Sequence, residues 1–272
     1  MKPKRSRGQH FLVDKNILKK IVTVADIDPG DTVVEIGAGT GNLTTALAQR
    51  AKRVVAIEID NDLIPLLHER CVSYPNVEII HDDARFFSPA KYGLGIQDLQ
   101  HPQLDAVRGA AEERSKAYSS STVSSTGGSN EEMRRLRELG YLVVANIPYN
   151  ITSLLIRRLL ESDPPPQKMI LLVQKEVAQR ICAQPPHMSL LSVAVQYYAN
   201  ARILFSVPRT CFSPRPNVDS AVLSLRRFDE GSPKYQRNAS SAFFHIVHAG
   251  FAHKRKLLIS NLKTVIPAPS VK

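Results

Sequence analysis

Cysteine and tryptophan are scarce in this sequence. Its 272 residues contain no tryptophan and three cysteines, at positions 71, 182 and 211. The cysteines are odd in number and too far apart for a CxxC pair, so neither a disulfide framework nor a zinc site is expected. No apolar run approaches the ~20 residues that cross a bilayer, and no apolar signal region follows the basic N-terminus. We therefore expect a cytoplasmic chain without a bound metal or a membrane span.

Acidic residues are outnumbered. The chain has 36 Lys and Arg against 25 Asp and Glu, a net charge of +11. This surplus favours a polyanionic partner, either nucleic acid or an anionic membrane face, although a merely soluble basic protein is the alternative. With 43% hydrophobic residues, the chain can bury one sizeable core and carry a small appendage.

Apolar runs typical of strands alternate with amphipathic stretches typical of helices. The first run, "DTVVEI", breaks into a glycine loop, and a helical stretch follows. Alternation of this kind predicts an α/β fold with a parallel, doubly wound, Rossmann-like sheet. In chain order, the next strands are expected at "RVVAIEID", "VEIIHDDA", "YLVVA" and "KMILLVQ".

Two segments depart from this alternation. Residues 93–140 include the Ser/Thr/Gly-rich "SSSTVSSTGGSN", which cannot bury a core and is expected to form a flexible surface insertion. From about residue 231 the chain becomes amphipathic with helical spacing. We therefore expect a large domain over 1–230, which carries the insertion, and a small helical domain over 231–272.

Polar and glycine residues collect at the ends of three predicted strands. Gly37, Gly39 and Gly41 follow the first strand, Glu58 ends the second and Asp83 ends the third. Glycines permit a tight turn and a close approach of backbone amides to a ligand, whereas carboxylates there can bind a ribose diol and an adenine amino group. The alternative is that the glycines serve packing and the acids cap helices.

This set suits a nucleoside with adenine and ribose but no pyrophosphate. The spacing is G-x-G-x-G and differs from the G-x-G-x-x-G of dinucleotide sites. S-adenosylmethionine fits this description. NAD remains the alternative, and with it an oxidoreductase, because an NAD site also uses a glycine turn and an acid after the second strand.

The stretch "NIPY" (146–149) follows the fourth predicted strand. The side-chain carbonyl of Asn146 and the backbone carbonyl of Ile147, stiffened by Pro148, can both accept hydrogen bonds from an exocyclic base amine. Tyr149 offers a ring on which the base can stack. This combination favours methyl transfer to a base amine over hydride transfer. The alternative is an ordinary helix entry, with Asn as cap and Pro near the first turn.

With these motifs the sequence resembles the ribosomal RNA adenine N6-dimethyltransferases. The matching blocks are "GQHFL", "EIGAGTGNLT", "VVAIEID", "DDA", "NIPYNI", "VQKEVAQR", "FSPRPNVDSAV" and "FAHKRKLLISNL", in family order. The blocks "QKEVAQR" and "FSPRPNVDSAV" favour this branch over the erythromycin-resistance 23S rRNA methylases. The resemblance implies S-adenosylmethionine contacts at His10 (Asn in many relatives), Leu12, Gly37, Gly39, Glu58, Asp83 and Asn146.

The resemblance also implies dimethylation of N6 on two adjacent adenosines near the 3′ end of 16S rRNA in the small ribosomal subunit, by a monomer. Phe212 would line the second face of the target adenine or pack in the core. Residues 1–230 would be the methyltransferase domain, and 231–272 an abbreviated RNA-docking domain. Phosphates would be held by Lys4, Arg5, Arg7, Lys254, Arg255 and Lys256, which otherwise form a solvated charged face. A non-catalytic RNA-binding assembly factor is the remaining alternative.

Overall fold

A computed structural model describes residues 9–94, 140–228, 240–253, 255–263 and 265. Nearly all of the predicted insertion at 93–140 lies outside these ranges. The strands are β1 (Phe11–Leu12), β2 (Thr32–Ile36), β3 (Arg53–Glu58), β4 (Val77–His81), β5 (Tyr141–Asn146), β6 (Lys168–Gln174), β7 (Ala199–Val207), β8 (Phe212–Ser213) and β9 (Ser220–Arg227). The helices are α1 (Lys15–Ala25), α2 (Asn42–Ala48), α3 (Ile64–Cys71), α4 (Thr152–Leu160), α5 (Lys175–Ile181), α6 (Leu190–Tyr198), α7 (Ser240–Phe251) and α8 (Leu258–Leu262).

Seven strands form one sheet in the order β4-β3-β2-β5-β6-β9-β7. The first five are parallel, and β9 runs antiparallel to both β6 and β7. The order reverses direction between β2 and β5, and such a switch point opens a crevice at the carboxyl ends of the strands. The predicted α/β fold with a doubly wound sheet is confirmed.

The sheet is buried on both faces, in agreement with the apolar, Val- and Ile-rich sequences of its strands. Val34, Val55 and Leu171 lie in one apolar cluster and are 0% exposed. Val33 and Val54, equally buried, point to the cluster on the other face. A strand covered on both sides reads as a continuous apolar run, which is why its position was visible in the sequence.

Helix α1 illustrates how local signals set an element. The Asp14 carboxylate accepts hydrogen bonds from the backbone amides of Asn16 (2.9 Å) and Ile17 (3.1 Å), which satisfies two of the free donors of the first turn. Ile21 and Ala25 are buried on its inner face. The helix therefore packs through these residues on the apolar cluster that includes Leu47 of α2 and Ile170 of β6.

The C-terminal helix α7 packs on α6 of the sheet domain through aromatic rings, and α8 packs on α7. The ring of Tyr197 on α6 stacks on Phe243, with 4.5 Å between centroids, and Tyr198 stacks on Phe244. Asn261 Nδ2 donates to the carbonyl of Gly250 at 2.9 Å and so ties α8 to α7. Two helices lie within the range of the predicted small helical domain, whose proposed start at 231 is outside the described residues; the division of the chain into two domains stays a prediction. Within the described ranges, no helix is long and apolar enough to span a bilayer.

Candidate active site

A cavity of about 390 Å³ lies at the carboxyl ends of β2, β3 and β5, beside the switch point of the sheet. It brings together most of the residues that the sequence singles out. Those that line it are His10, Gly37, Gly39, Glu58, Asp83, Asn146, Ile147, Pro148 and Tyr149.

The glycine loop forms one wall of the cavity. Gly37 and Gly39 have φ angles of +74° and +58°, in the left-handed region that favours glycine. A Cβ atom on Gly39 would lie 3.2 Å from the ring of Phe11. The loop therefore needs glycine both for its turn and for the close approach of the N-terminal strand.

Glu58 lies at the end of β3 with 5% exposure. Its Oε2 accepts from the amide of Gly39 and its Oε1 from the amide of Asp60, both at 2.8 Å. Each oxygen of a carboxylate has two acceptor positions, so one position on each oxygen remains for a diol. The backbone thus orients the carboxylate before any ligand binds.

A second glutamate lies beneath this wall. Glu35 on β2 is 2% exposed, and its Oε2 has no hydrogen-bond partner among the residues that the structure describes. Burial raises the pKa of Glu35 to about 8, the Thr44 hydroxyl opposes the shift, and the nearby Glu58 adds to it. Glu35 is therefore predominantly neutral at pH 7. Sequence reasoning missed this because the residue reads as one more strand position.

Two aspartates follow β4, and each has its own partners. Asp83 holds the guanidinium of Arg85 through Nη2–Oδ2 and Nε–Oδ2 distances of 2.6 and 2.9 Å. The hydrogen bond from Arg85 holds the pKa of Asp83 below its ordinary value. Asp82 instead accepts from the hydroxyl of Tyr92 at 2.6 Å and from the ammonium of Lys91. Both aspartates line the cavity together with Arg85, a residue that the sequence analysis did not single out.

The NIPY turn forms the opposite wall. Asn146 Nδ2 donates to the backbone carbonyl of His10 at 2.9 Å, so Oδ1 is the atom of this amide that can accept a further hydrogen bond. The Tyr149 hydroxyl bonds with that of Ser220 at 2.7 Å, and its ring lies against the His10 ring, with 5.6 Å between centroids. Burial raises the pKa of Tyr149, so the phenol stays neutral. Both side chains are held in place without a ligand.

Leu12 and Phe212 occupy a different environment from the one expected. They face each other as register partners of the antiparallel β1–β8 ribbon. They are 5% and 4% exposed and lie in the apolar core, behind the cavity wall. For Phe212 the core-packing alternative is the one that this placement supports. Leu12 supports the wall through packing, because its side chain is enclosed by the same cluster.

The ribbon fixes His10 at the cavity. His10 Nδ1 donates to the carbonyl of Pro214 at 2.8 Å, one residue beyond β8. Next to it, Gln9 Nε2 donates to Asp60 Oδ2 at 2.7 Å. Neither contact has a signal in the local sequence, since the partners are distant along the chain.

The predicted phosphate-binding residues are only partly described. Lys4, Arg5, Arg7 and Lys254 lie outside the described ranges. Arg255 and Lys256 are exposed in the turn between α7 and α8, and Lys256 lines a second, apolar groove of about 980 Å³ against α4 and α6. Their position is compatible with a phosphate contact and equally with a solvated charged face.

Comparison with known proteins gives a consistent assignment. The family model described as ribosomal RNA adenine dimethylase matches residues 1–271. "Ribosomal RNA small subunit methyltransferase A" of Geobacillus kaustophilus is 40% identical over 97% of this chain and 77% of that protein. The protein of the same name from Streptococcus pneumoniae is 39% identical over 95% of this chain and 76% of its own length.

Solved structures agree with this assignment. A dimethyladenosine transferase from Plasmodium falciparum superposes with a TM-score of 0.66 at 29% identity, over 93% of this chain and 75% of that one. The 23S rRNA methyltransferase ErmE reaches the same TM-score at 24% identity, over 94% and 85%, and shows the shared fold alone. The NAD-dependent oxidoreductase that the sequence left open is thereby set aside. The chain belongs to the ribosomal RNA adenine dimethylase family.

Proposed function

We propose that the chain transfers methyl groups from S-adenosylmethionine to N6 of two adjacent adenosines near the 3′ end of 16S rRNA in the small ribosomal subunit, giving N6,N6-dimethyladenosine. Family membership and the names of its relatives support the reaction class. One observation from the site carries the proposal. Asn146 is fixed through its amide nitrogen, so its oxygen is available to a base amine in the cavity that also contains Glu58.

The residues present fit S-adenosylmethionine. The cavity of about 390 Å³ falls in the usual range for small-molecule sites, and the glycine loop lets backbone come close to a ligand. Glu58 retains an acceptor position on each oxygen for the ribose hydroxyls, and Asp83 would accept from the adenine amine. When bound, the cofactor supplies an electrophilic methyl group on a sulfonium centre.

The chain's own residues would orient the target amine. The lone pair of N6 is delocalised into the adenine ring, so the amine is a weak nucleophile. Asn146 Oδ1 and the Ile147 carbonyl would accept its two N–H groups and keep the lone pair directed at the methyl group. The Tyr149 ring would stack on the base through the face turned away from His10. The main contribution to rate is then orientation.

The substrate would be held by its phosphates. The turn that carries Arg255 and Lys256, together with the basic N-terminal residues, would position the RNA, and such contacts weaken with salt and carry no sequence information. Specificity would come from the folded shape of the ribosomal particle. We infer that residues 1–230 perform the transfer and 231–272 dock the RNA, with the chain acting as a monomer.

The test is the transfer of labelled methyl groups to small ribosomal subunits that lack the modification, with the product nucleoside identified. We expect N6,N6-dimethyladenosine. Asn146→Ala should lower the rate by roughly 100-fold, as loss of one preorganised polar contact does at other sites, whereas Asn200→Ala, an exposed change on β7, should leave it unchanged. Near-normal transfer by Asn146→Ala would refute the amine-orienting role. Binding of the particle without transfer would favour the assembly-factor alternative.

A further inference from the structure

The Arg85 side chain occupies the acceptor atoms of Asp83. Its Nε lies 3.1 Å from Oδ1 and 2.9 Å from Oδ2, and its Nη2 lies 2.6 Å from Oδ2. The backbone amide of Arg85 donates to Oδ1 as well, at 2.9 Å. One residue thus supplies four contacts to a carboxylate that has about four acceptor positions in all.

This pair lies on the cavity wall. Both Asp83 and Arg85 line the cavity, and their side chains are 20% and 50% exposed. Asp83 sits at the start of a 3-10 turn over Ala84–Phe86. Arg85 is two residues further on, so the short turn folds the guanidinium back onto the carboxylate.

The neighbouring acid does not share this arrangement. Asp82 is held by Tyr92 and Lys91 and accepts from the amide of Asp83 at 2.9 Å. Those contacts fix Asp82 independently of Arg85. Both aspartates line the cavity, and Asp83, to which the proposed adenine contact is assigned, is the one that the Arg85 guanidinium covers.

We propose that Arg85 is a specificity-determining residue of the nucleoside site, because its guanidinium occupies the Asp83 oxygens that an adenine amino group needs. This inference rests on the proposed function. A ligand with a 6-amino group must displace Arg85 from at least one oxygen, so the ion pair lowers the affinity for adenine. A 6-oxo group cannot donate to Asp83, but it can accept from the displaced guanidinium. Arg85 therefore lowers the ratio of the affinity for adenine to the affinity for hypoxanthine.

The experiment measures equilibrium binding of S-adenosylhomocysteine and S-inosylhomocysteine to the full chain by calorimetry. Arg85→Met removes the charge and keeps the apolar stem. It should tighten binding of S-adenosylhomocysteine by roughly two- to fivefold, as expected for loss of a half-exposed ion pair, and weaken binding of the 6-oxo ligand. Arg85→Lys, which keeps the charge but loses the fork, should fall between Arg85→Met and the parent chain.

The salt dependence of S-adenosylhomocysteine binding is a second readout, and it would not change if Arg85 had only a structural role. Because salt screens an exposed pair, the parent chain should bind the net-neutral S-adenosylhomocysteine more tightly at high salt, and Arg85→Met should show no such gain. The matched control is Arg157→Met on α4, which breaks another exposed arginine–carboxylate pair, with Glu161 just after that helix, away from this cavity. Arg157→Met should bind both ligands with the affinities of the parent chain and with the same dependence on salt.

The outcomes distinguish a failure of the Arg85 role from a failure of the proposed function. If the parent binds S-adenosylhomocysteine but Arg85→Met binds it no more tightly, with an unchanged ratio between the two ligands, the role of Arg85 is refuted and the proposed function stands. If the parent binds neither ligand while it remains folded, the proposed function fails and this inference fails with it.

Discussion

Replacing Glu35 with glutamine should flatten the pH dependence of the free energy of unfolding. Glu35 is 2% exposed, and its pKa is about 8 in the folded chain against an ordinary value of 4.5. Between these two values the folded state holds a proton that the unfolded state releases. Stability contributed by this group is therefore greatest at low pH and falls as the pH rises towards 8.

The size of the effect follows from linkage. Each pH unit inside the window lowers the free energy of unfolding by at most about 1.4 kcal/mol. Because the slope is smaller near each pKa, the loss between about pH 5 and pH 8 is about 3.5 kcal/mol. Glutamine has nearly the same volume and carries no titratable proton. The absolute stability of Glu35→Gln depends on how its amide is accommodated beside Thr44, so the slope is the quantity to compare.

Urea unfolding at a series of pH values measures this slope, provided that the transition is two-state. Subtracting the curve of the variant from that of the parent removes contributions of all other titrating groups. The control is Glu69→Gln, an exposed change on α3. Its plot of the free energy of unfolding against pH should run parallel to that of the parent. If the Glu35→Gln curve also ran parallel to the parent over the whole window, the neutral buried carboxyl would be refuted.

Two further predictions concern the glycine loop and the NIPY turn. Gly41→Ala places a side chain at a φ of +78°, with its Cβ 2.9 Å from Leu67 Cδ1. It should lower the free energy of unfolding by about 1–2 kcal/mol, and an unchanged urea midpoint would contradict this. Tyr149→Phe leaves the buried hydroxyl of Ser220 without its partner and should cost about 1–2 kcal/mol of stability. It should leave the dissociation constant of S-adenosylhomocysteine unchanged in calorimetry, and weaker binding would show that Tyr149 contacts the cofactor instead of the base.

The parts of the fold that depend on local patterns were predictable. Strand β2 and the glycine loop after it follow from an apolar run that ends in three spaced glycines, and Asp14 caps α1 as its sequence position indicates. The gathering of Gly39 and Glu58 at one edge was also predictable, since parallel strands end together. Their direct contact at 2.8 Å confirms that the two strand ends converge.

Other features depend on contacts between residues that are far apart in the chain and on burial, neither of which local sequence patterns reveal. Phe212 lies in a block that resembles the family, yet its side chain is enclosed in the core through its pairing with Leu12, 200 positions earlier. The local sequence around Glu35 shows an acidic residue near the end of a strand, but it does not show that this residue is almost fully buried. Arg85 had a visible signal, because an arginine two residues after an aspartate can fold back on it across a tight turn.

His10 links these long-range contacts. Its ring joins Pro214 and Tyr149, whereas its backbone carbonyl holds the amide of Asn146. A backbone carbonyl is supplied by any residue type, so the orientation of Asn146 does not require histidine. The family resemblance places asparagine here in many relatives, and that exchange would keep the contact to Asn146 while removing the ring from Tyr149. In the proposed reaction, the side chain at this position would therefore affect the ring on which the base stacks, whereas the backbone just before β1 would set the orientation of Asn146.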